Sequence, residues 1–577
     1  MSDAVALDPL LVGLASSRLE SILEEQQATL VTTAFSTIVR ESEDLACGVF
    51  DSAGNMIRQS RSGTPGHINA MATGVRHFVS AFPPESLEEG DVLLTNDPWM
   101  TAGQINDMTV VTPAFIGGRL MGFFASTCHT PDIGGRILSA EATEVFEEGV
   151  RLPRLKLVRA GELSEDVMAI IRANSRIADE TEGDLHAQVA ANAVGVRGLA
   201  RVLSDLGLEA LDPVGAEICR RSEEAMRSAI AELPDGRYEH EVWSDGFGEP
   251  VVLRVALTVD GDEIELDYAG SSPQSDHGIN VVLNYTHAYS SYALKLAVAP
   301  EVPHNAGSFA PVRVTAPEGS ILNCTEPAPV AARHLVGHFL PGLVLGALGQ
   351  ASQGRALAES SDSLWITVWR GEDLGDESFN LTLFQSGGMG ARDGKDGLSA
   401  TGFPAAVACV PTEVFESLTP LVQGERSLIG DSGGAGRWRG GLGQRSRMRC
   451  RTGAPWTVSA LVDRTQFPAD GLDGAGPGAL GALTVGGCEV QAKRLTRLEP
   501  DDEVALDVPG GGGIGDPHGR PVEAVLADVV DGYVTLGRAR ERYGVEIRYI
   551  GAEDAIVRGP ETFEVDTEAT ARLRRSS

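Results

Sequence analysis

Residues Thr95–Gly135 read TNDPWMTAGQINDMTVVTPAFIGGRLMGFFASTCHTPDIGG. With VLLTNDPW leading in, the runs MTVVTPAF and GRLMGFFAST predict three β-strands separated by glycine and polar turns. Asn96, Asp97, Asp107, His129 and Asp132 fall at the strand ends, where a rigid scaffold can aim side chains at one point. Carboxylate oxygens beside an imidazole are the donor mix of zinc, manganese or a similar divalent ion. On residue type and spacing alone, turn capping by the same Asp and His residues is the competing reading.

Upstream, the leucines at 10, 11, 14, 19 and 23 recur at helical spacing. LACGVFD followed by Ser52, Ala53, Gly54 and Asn55 reads as a strand and hairpin turn, placing Asp44 at the start of a buried strand. His67, in TPGHINAM, follows a Pro-Gly turn and opens a helix-like stretch, so a capping or structural histidine competes with acid/base work. Downstream, residues 141–233 read as mainly helical, and composition shifts at Leu233 into alternating strand patterns. Helices are expected over 284–296 and 332–350, the second carrying His334 and His338 on one face. HLVGH lacks the glutamate of a zincin, so that pair reads as helix packing or support behind a site.

Beyond Leu421 the chain is rich in glycine and short strands, closing with helices near 522–529 and 536–543 and a frayed tail. Gly510–Gly513 lacks the Lys-Ser/Thr of a phosphate loop and the strand-GxGxxG-helix frame of a dinucleotide site, so it reads as a tight structural turn, with no nucleotide site in this chain. The expected fold is a multi-domain α+β protein: 1–233 with the candidate metal site, 234–420 of mixed elements, and 421–577 rich in β-strand.

A formal net charge of -34 over 577 residues excludes a basic footprint for nucleic acid or an anionic membrane. No segment is apolar and long enough to span a bilayer, and the N-terminus lacks an export signal, which points to a soluble cytoplasmic protein. Seven scattered cysteines with no CxxC pair fit reduced thiols, not a disulfide framework or thiolate zinc.

Taken together, ESEDLACGVFD, TPGHINAM, NDPWMTAGQINDMTVVTPAF, CHTPDIGG, FEEGVRLPRLKL, GDLHAQVAAN, PAPVAARH, DSGGAGRWRGGLG and VPGGGGIGDP, in this order, resemble the hydantoinase B/oxoprolinase family. Its relatives include acetone and acetophenone carboxylase subunits and lactam hydrolases. The resemblance implies a B-type subunit paired with a hydantoinase A-type ATPase that binds ATP and activates the substrate, in a cytoplasmic hetero-oligomer. It also implies a divalent metal, zinc or manganese, on Asp44, Asp107 and His129, with His67 nearby and the Asp132-Gly134-Gly135 loop presenting His129.

One position departs: relatives carry histidine where this chain has Gln104 in GQIND. An amide oxygen is a weaker donor than imidazole towards zinc and suits harder ions. A harder metal, a site completed by water, and a site without metal chemistry all remain open. Metal ligands are expected at Asp44, Gln104, Asp107 and His129, and proton transfer at His67 and His129. ATP-coupled opening of a cyclic amide is the leading expectation. ATP-dependent ketone carboxylation and a non-catalytic scaffold with a degenerate metal site are the alternatives.

Overall fold

The computed structural model describes residues 7–351, 356–372, 378–552 and 554–575. The motif strands lie at the heart of a seven-stranded antiparallel sheet: β1 (Leu45–Phe50), β2 (Met56–Gln59), β3 (Val92–Thr95), β4 (Asp107–Ile116), β5 (Arg119–His129), β6 (Leu155–Arg159) and β7 (Glu162–Leu163), in the order β2-β1-β5-β4-β3-β6-β7. The LACGVFD hairpin forms as expected. β6 and β7 correct the helical reading of 141–233: LKLVR pairs with the edge of β3 before the helices begin.

Helices cover both faces of this sheet, so its central strands are apolar on both sides. α1 (Pro9–Thr33), the short α2 (Thr37–Arg40), α3 (Pro65–Ala81), α4 (Glu165–Asn174), α5 (Ala178–Leu206) and α6 (Asp212–Ile230) make up the layers. Of the N-terminal leucines, Leu19 and Leu23 are buried whereas Leu10 and Leu14 are exposed, so the buried stripe of α1 runs through Val12, Ala15 and Ile22 instead.

Strand periodicity decides what faces the site. Phe124 of β5 packs with α1, α5 and α6, whereas Phe123, Ala125 and Val111 pack with α3. Counting by twos along the second face brings Thr109 and Thr127 together, Oγ1 to Oγ1 at 2.9 Å, and then Asp107 opposite His129 at the strand ends. From the other side, α5 fastens the sheet: Gln188 donates to the Met108 and Ser126 carbonyls and Asn192 to that of Val110.

After Leu233 comes a four-stranded sheet, β8 (Gly236–Phe247), β9 (Glu249–Asp260), β10 (Glu263–Asp267) and β11 (Val312–Thr315), ordered β11-β10-β9-β8. α7 (Leu283–Val298), α8 (Ala306–Phe309), α9 (His334–Gly337) and α10 (Phe339–Ala351) accompany it. The helix expected over 332–350 is thus two helices, broken at His338 with Pro341 in the first turn of the second. The largest apolar cluster is continuous from Ile38 and Val110 through Leu257 and Tyr285 to Phe384 and Leu461, so the N-terminal sheet and the middle elements share one core.

Further sheets occupy the chain between Trp365 and Asp507, and helices at Val522–Val530 and Leu536–Tyr543 close the fold. Gly510–Gly513 is not a turn. It is an extended segment threaded between other glycine strands, donating to the carbonyls of Ala479, Gly441, Glu359 and Gly476 in turn. Only glycine permits this approach: a Cβ on Gly511 would lie 2.3 Å from the Met389 carbonyl oxygen.

Candidate active site

Asp107 is the hub. It is fully buried, and each of its carboxylate oxygens has partners from separate parts of the chain. Oδ1 lies 3.1 Å from His129 Nδ1 and 2.8 Å from Gln104 Nε2. Oδ2 lies 3.1 Å from His67 Nε2 and 2.5 Å from Arg333 Nη2. Gln104 Nε2 is also 2.7 Å from His129 Nδ1. His67, on the first turn of α3, has its Nδ1 3.5 Å from Asp44 Oδ1, which accepts from the Thr64 hydroxyl at 2.6 Å. Asp44 holds the far strand end as well, its carbonyl accepting from the His129 amide. The structure therefore brings Asp44, His67, Gln104, Asp107 and His129 together.

The charges follow from this packing. Burial alone would raise the Asp107 pKa, but Arg333, His67 and hydrogen bonds from both imidazoles outweigh it and hold the carboxyl well below its usual range. Burial likewise pulls His67 down, yet Asp107 and Asp44 outweigh it and raise its pKa, favouring the imidazolium. His334 is driven well below its ordinary value by burial first and then by His338 and Arg333, so it is neutral. His338 is pushed down to about 3 by burial and by Arg333.

A cavity of about 30 Å³ adjoins this cluster, with Gln104, His67, His129, Arg333, His334 and His338 in its wall. His67 Nδ1 and His334 Nε2 are buried without a hydrogen-bond partner. Larger clefts of about 430 and 420 Å³ lie around Asp245–Gly248 with Lys493–Arg494 and around Gly474–Ala479 with Arg542, neither lined by a histidine, and one of about 440 Å³ lies around Glu239–Glu241 with Arg254 and includes His240.

Arg333, Tyr285 and Glu148 escaped the sequence reading. Arg333 stacks over the Tyr285 ring at 4.2 Å and donates Nε to the Ala102 carbonyl at 2.6 Å. Glu148, from FEEG, accepts from the Val330 and Ala331 amides at 2.6 and 2.7 Å and so fixes the loop delivering Arg333. One signal was available: an arginine between the apolar run PVAA and a helix is buried only with a partner. Gly103 makes room for it, with φ of +90° and a virtual Cβ 2.9 Å from Arg333 Cδ.

Asn96 and Asp97, though in the same stretch, serve the loops. Asn96 bonds to the Ile105 and Val150 carbonyls and the Leu152 amide, and Asp97 pairs with Arg151. Asp132 pairs with Arg176 at 2.6 Å and accepts from Gly134, bracing the turn after His129. The backbone N–H groups of Gly510–Gly513 are all spent on carbonyls, which leaves none to cradle a phosphate.

Among the described residues, no three His, Cys, Asp or Glu side chains are placed to share one ion. An ion at this cluster therefore needs Gln104 beside Asp107 and His129. These three meet edge to edge with Gln104 Nε2 facing the other two; with the amide turned over, a carboxylate, an imidazole and an amide oxygen would make a donor set suited to a divalent cation.

A protein of mixed α and β layers with this cluster at the end of its central sheet defines a class, and the sequence confirms it. The chain belongs to the hydantoinase B/oxoprolinase family, whose profile matches residues 8–517. It is 30% identical to the caprolactamase subunit beta of Pseudomonas jessenii over 566 residues, covering 94% of this chain and 96% of that one. The crystal structure of the ATP-dependent caprolactamase from the same organism superposes with a TM-score of 0.90 at 28% identity, over 99% of this chain and 100% of that one. Against 5-oxoprolinase 1 of Arabidopsis thaliana the identity is 28%, over 88% of this chain and 42% of the longer relative. A nucleotide-free acetone carboxylase structure shares the fold, with a TM-score of 0.84 at 20% identity over 99% of this chain and 83% of that one.

Proposed function

We propose that this chain is the ring-opening subunit of an ATP-dependent enzyme that hydrolyses a cyclic amide of the hydantoin, oxoproline or lactam class, acting with a separate ATP-using subunit. The observation that carries the reading is the Asp107 hub: a buried carboxylate kept ionised by Arg333, facing two imidazoles on the wall of a small cavity. The caprolactamase relative, named a beta subunit of an ATP-dependent enzyme, supports both the substrate class and the division of labour.

Amide resonance makes the ring carbonyl a poor electrophile, so the ATP-using partner activates it by phosphorylating the amide oxygen. His67, held as an imidazolium between Asp107 and Asp44, supplies a proton donor at Nδ1 to the departing ring nitrogen. Neutral His334 offers Nε2 as a hydrogen-bond acceptor that orients the attacking water; departure of the protonated ring nitrogen then leaves an acyl phosphate, which a second water hydrolyses to the carboxylate and inorganic phosphate. Arg333 fixes Asp107, and through it the orientation of both imidazoles. A divalent ion on Gln104, Asp107 and His129, with Asp44 beside them, would supply Lewis-acid polarisation of the carbonyl. A ring amide exceeds the cavity of about 30 Å³, so its entry requires the wall to open.

The test is ATP turnover by the purified chain with its co-expressed ATP-using subunit, across hydantoins, 5-oxoproline and lactams. Amide-dependent ATP hydrolysis with ring-opened product supports the reading. Turnover that requires a ketone and bicarbonate would replace it with a carboxylase, and no stimulation by any of these would leave a scaffold.

A further inference from the structure

We propose that the cleft of about 420 Å³ between the Gly474–Ala479 loop and the helix Leu536–Tyr543 binds an open-chain amino acid whose amine and carboxylate are several methylenes apart. That such a ligand is the ring-opened product of a lactam rests on the proposed function; the binding itself does not. The cleft shares no lining residue with the cavity at Asp107. One of its walls, the helix, lies beyond residues 8–517 of the family match.

The first observation is charge left open. Arg538 and Arg542 line the cleft one helical turn apart, on one face of the helix, and both are exposed. The chain carries 81 Asp and Glu against 47 Lys and Arg, yet among the described residues no carboxylate lies within 4.0 Å of Arg542. Arg538 has only Glu541, at 3.9 Å. Asp431 brings the other sign to the same cleft: its Oδ1 accepts from the Thr535 amide at 2.8 Å, and its Oδ2 has no partner among the described residues. Neither arginine is within 4.0 Å of it, so opposite charges line one cleft without neutralising each other. A carboxylate on the guanidinium groups and an ammonium on Asp431 Oδ2 complete both ends with charge-assisted hydrogen bonds.

The second observation is spacing. The Thr535 amide marks where the Asp431 carboxylate meets the helix. At roughly 1.5 Å per residue, Arg538 is about 4.5 Å and Arg542 about 10.5 Å further along the axis. An amine and a carboxylate on a single carbon are too close together to reach both ends, whereas an extended chain of several methylenes spans them. The third is the rest of the lining: buried Val534 and Tyr543, with Pro477 and Ala475, offer apolar contact to the methylenes.

The experiment is isothermal titration calorimetry on the full chain, without partner subunit or ATP, so its failure is separate from failure of the ring-opening reaction. The probes are ω-aminohexanoate, its isomer norleucine with amine and carboxylate on one carbon, hexanoate without the amine, and hexylamine without the carboxylate. The natural chain binds one ω-aminohexanoate, and binds each of the other probes at least ~10-fold more weakly. Arg542→Met and Asp431→Asn each weaken ω-aminohexanoate at least ~10-fold. Ala479→Trp, which fills the cleft without changing a charge, abolishes binding. Circular dichroism of each variant checks its folding. The proposal is overturned if the natural chain binds no ω-aminohexanoate, if norleucine, hexanoate or hexylamine binds within about two-fold of it, or if well-folded Arg542→Met retains the natural affinity.

Discussion

Replacing Arg333 by Met keeps an apolar stem against Tyr285 but removes the cation from Asp107, whose side chain is 0% exposed. Losing one partner of a buried ion pair costs about 3–5 kcal/mol because the other charge is stranded. The Ala102 carbonyl loses its donor too, worth about 1 kcal/mol. Against this, Asp107 keeps His67, His129 and Gln104 within reach, and His67 can carry the compensating proton. The net expectation is about 3 kcal/mol. Asp107→Asn relieves the stranded charge, so the double variant should be less destabilised than the sum of the singles by about 2 kcal/mol. A chain of this size with several apolar clusters does not unfold in one step, so the readout is hydrogen exchange at β4 and β5 amides, in chelator. Additive effects, or a loss below about 0.5 kcal/mol for Arg333→Met, would refute the view that Arg333 neutralises Asp107.

Glu148 is raised to about 8 by burial, against the pull of the Ala331 and Val330 amides. Its folded pKa lies above its ordinary 4.5, so its contribution to stability is full below pH 4.5 and is lost as pH rises to about 8; Glu148→Gln should flatten that slope in pH-dependent melting, and an unchanged slope would contradict the assignment. His67, also raised, stabilises the fold below its ordinary 6.5 and loses that contribution as pH climbs through the folded value; NMR titration of the imidazole should give a pKa above 6.5 that falls in Asp107→Asn. Gly103→Ala combines a positive φ with a contact at 2.9 Å to Arg333, and should cost about 1–3 kcal/mol and weaken protection at Asp107 in the same exchange experiment.

The strands around the site were legible because their both-faces-buried, β-branched and aromatic runs end in polar turns, and a two-residue period carries Asp107 and His129 to one face without any further information. The hairpin after Asp44 was legible for the same reason. Arg333 and Glu148 were not: Arg333 reaches Asp107 from a distant segment and Glu148 holds the loop that delivers it, through tertiary contacts that no local pattern encodes. The strands at Leu155–Arg159 and Glu162–Leu163 were missed because they are short additions to a sheet edge, ordered by pairing more than by propensity. The break at His338 hides inside an apolar stretch whose helical periodicity runs straight through it. Gly510–Gly513 misled in the other direction, since glycine suggests a turn while here it serves close backbone packing.

The most direct measurement of the central claim is ring-amide-stimulated ATP hydrolysis by this chain with its ATP-using subunit, comparing the natural chain with Asp107→Asn in an assembled complex. The account predicts ring opening coupled to ATP in the natural complex, and loss of ring-opened product by at least about 100-fold in the variant while the two subunits still associate. Undiminished ring opening by Asp107→Asn would contradict it.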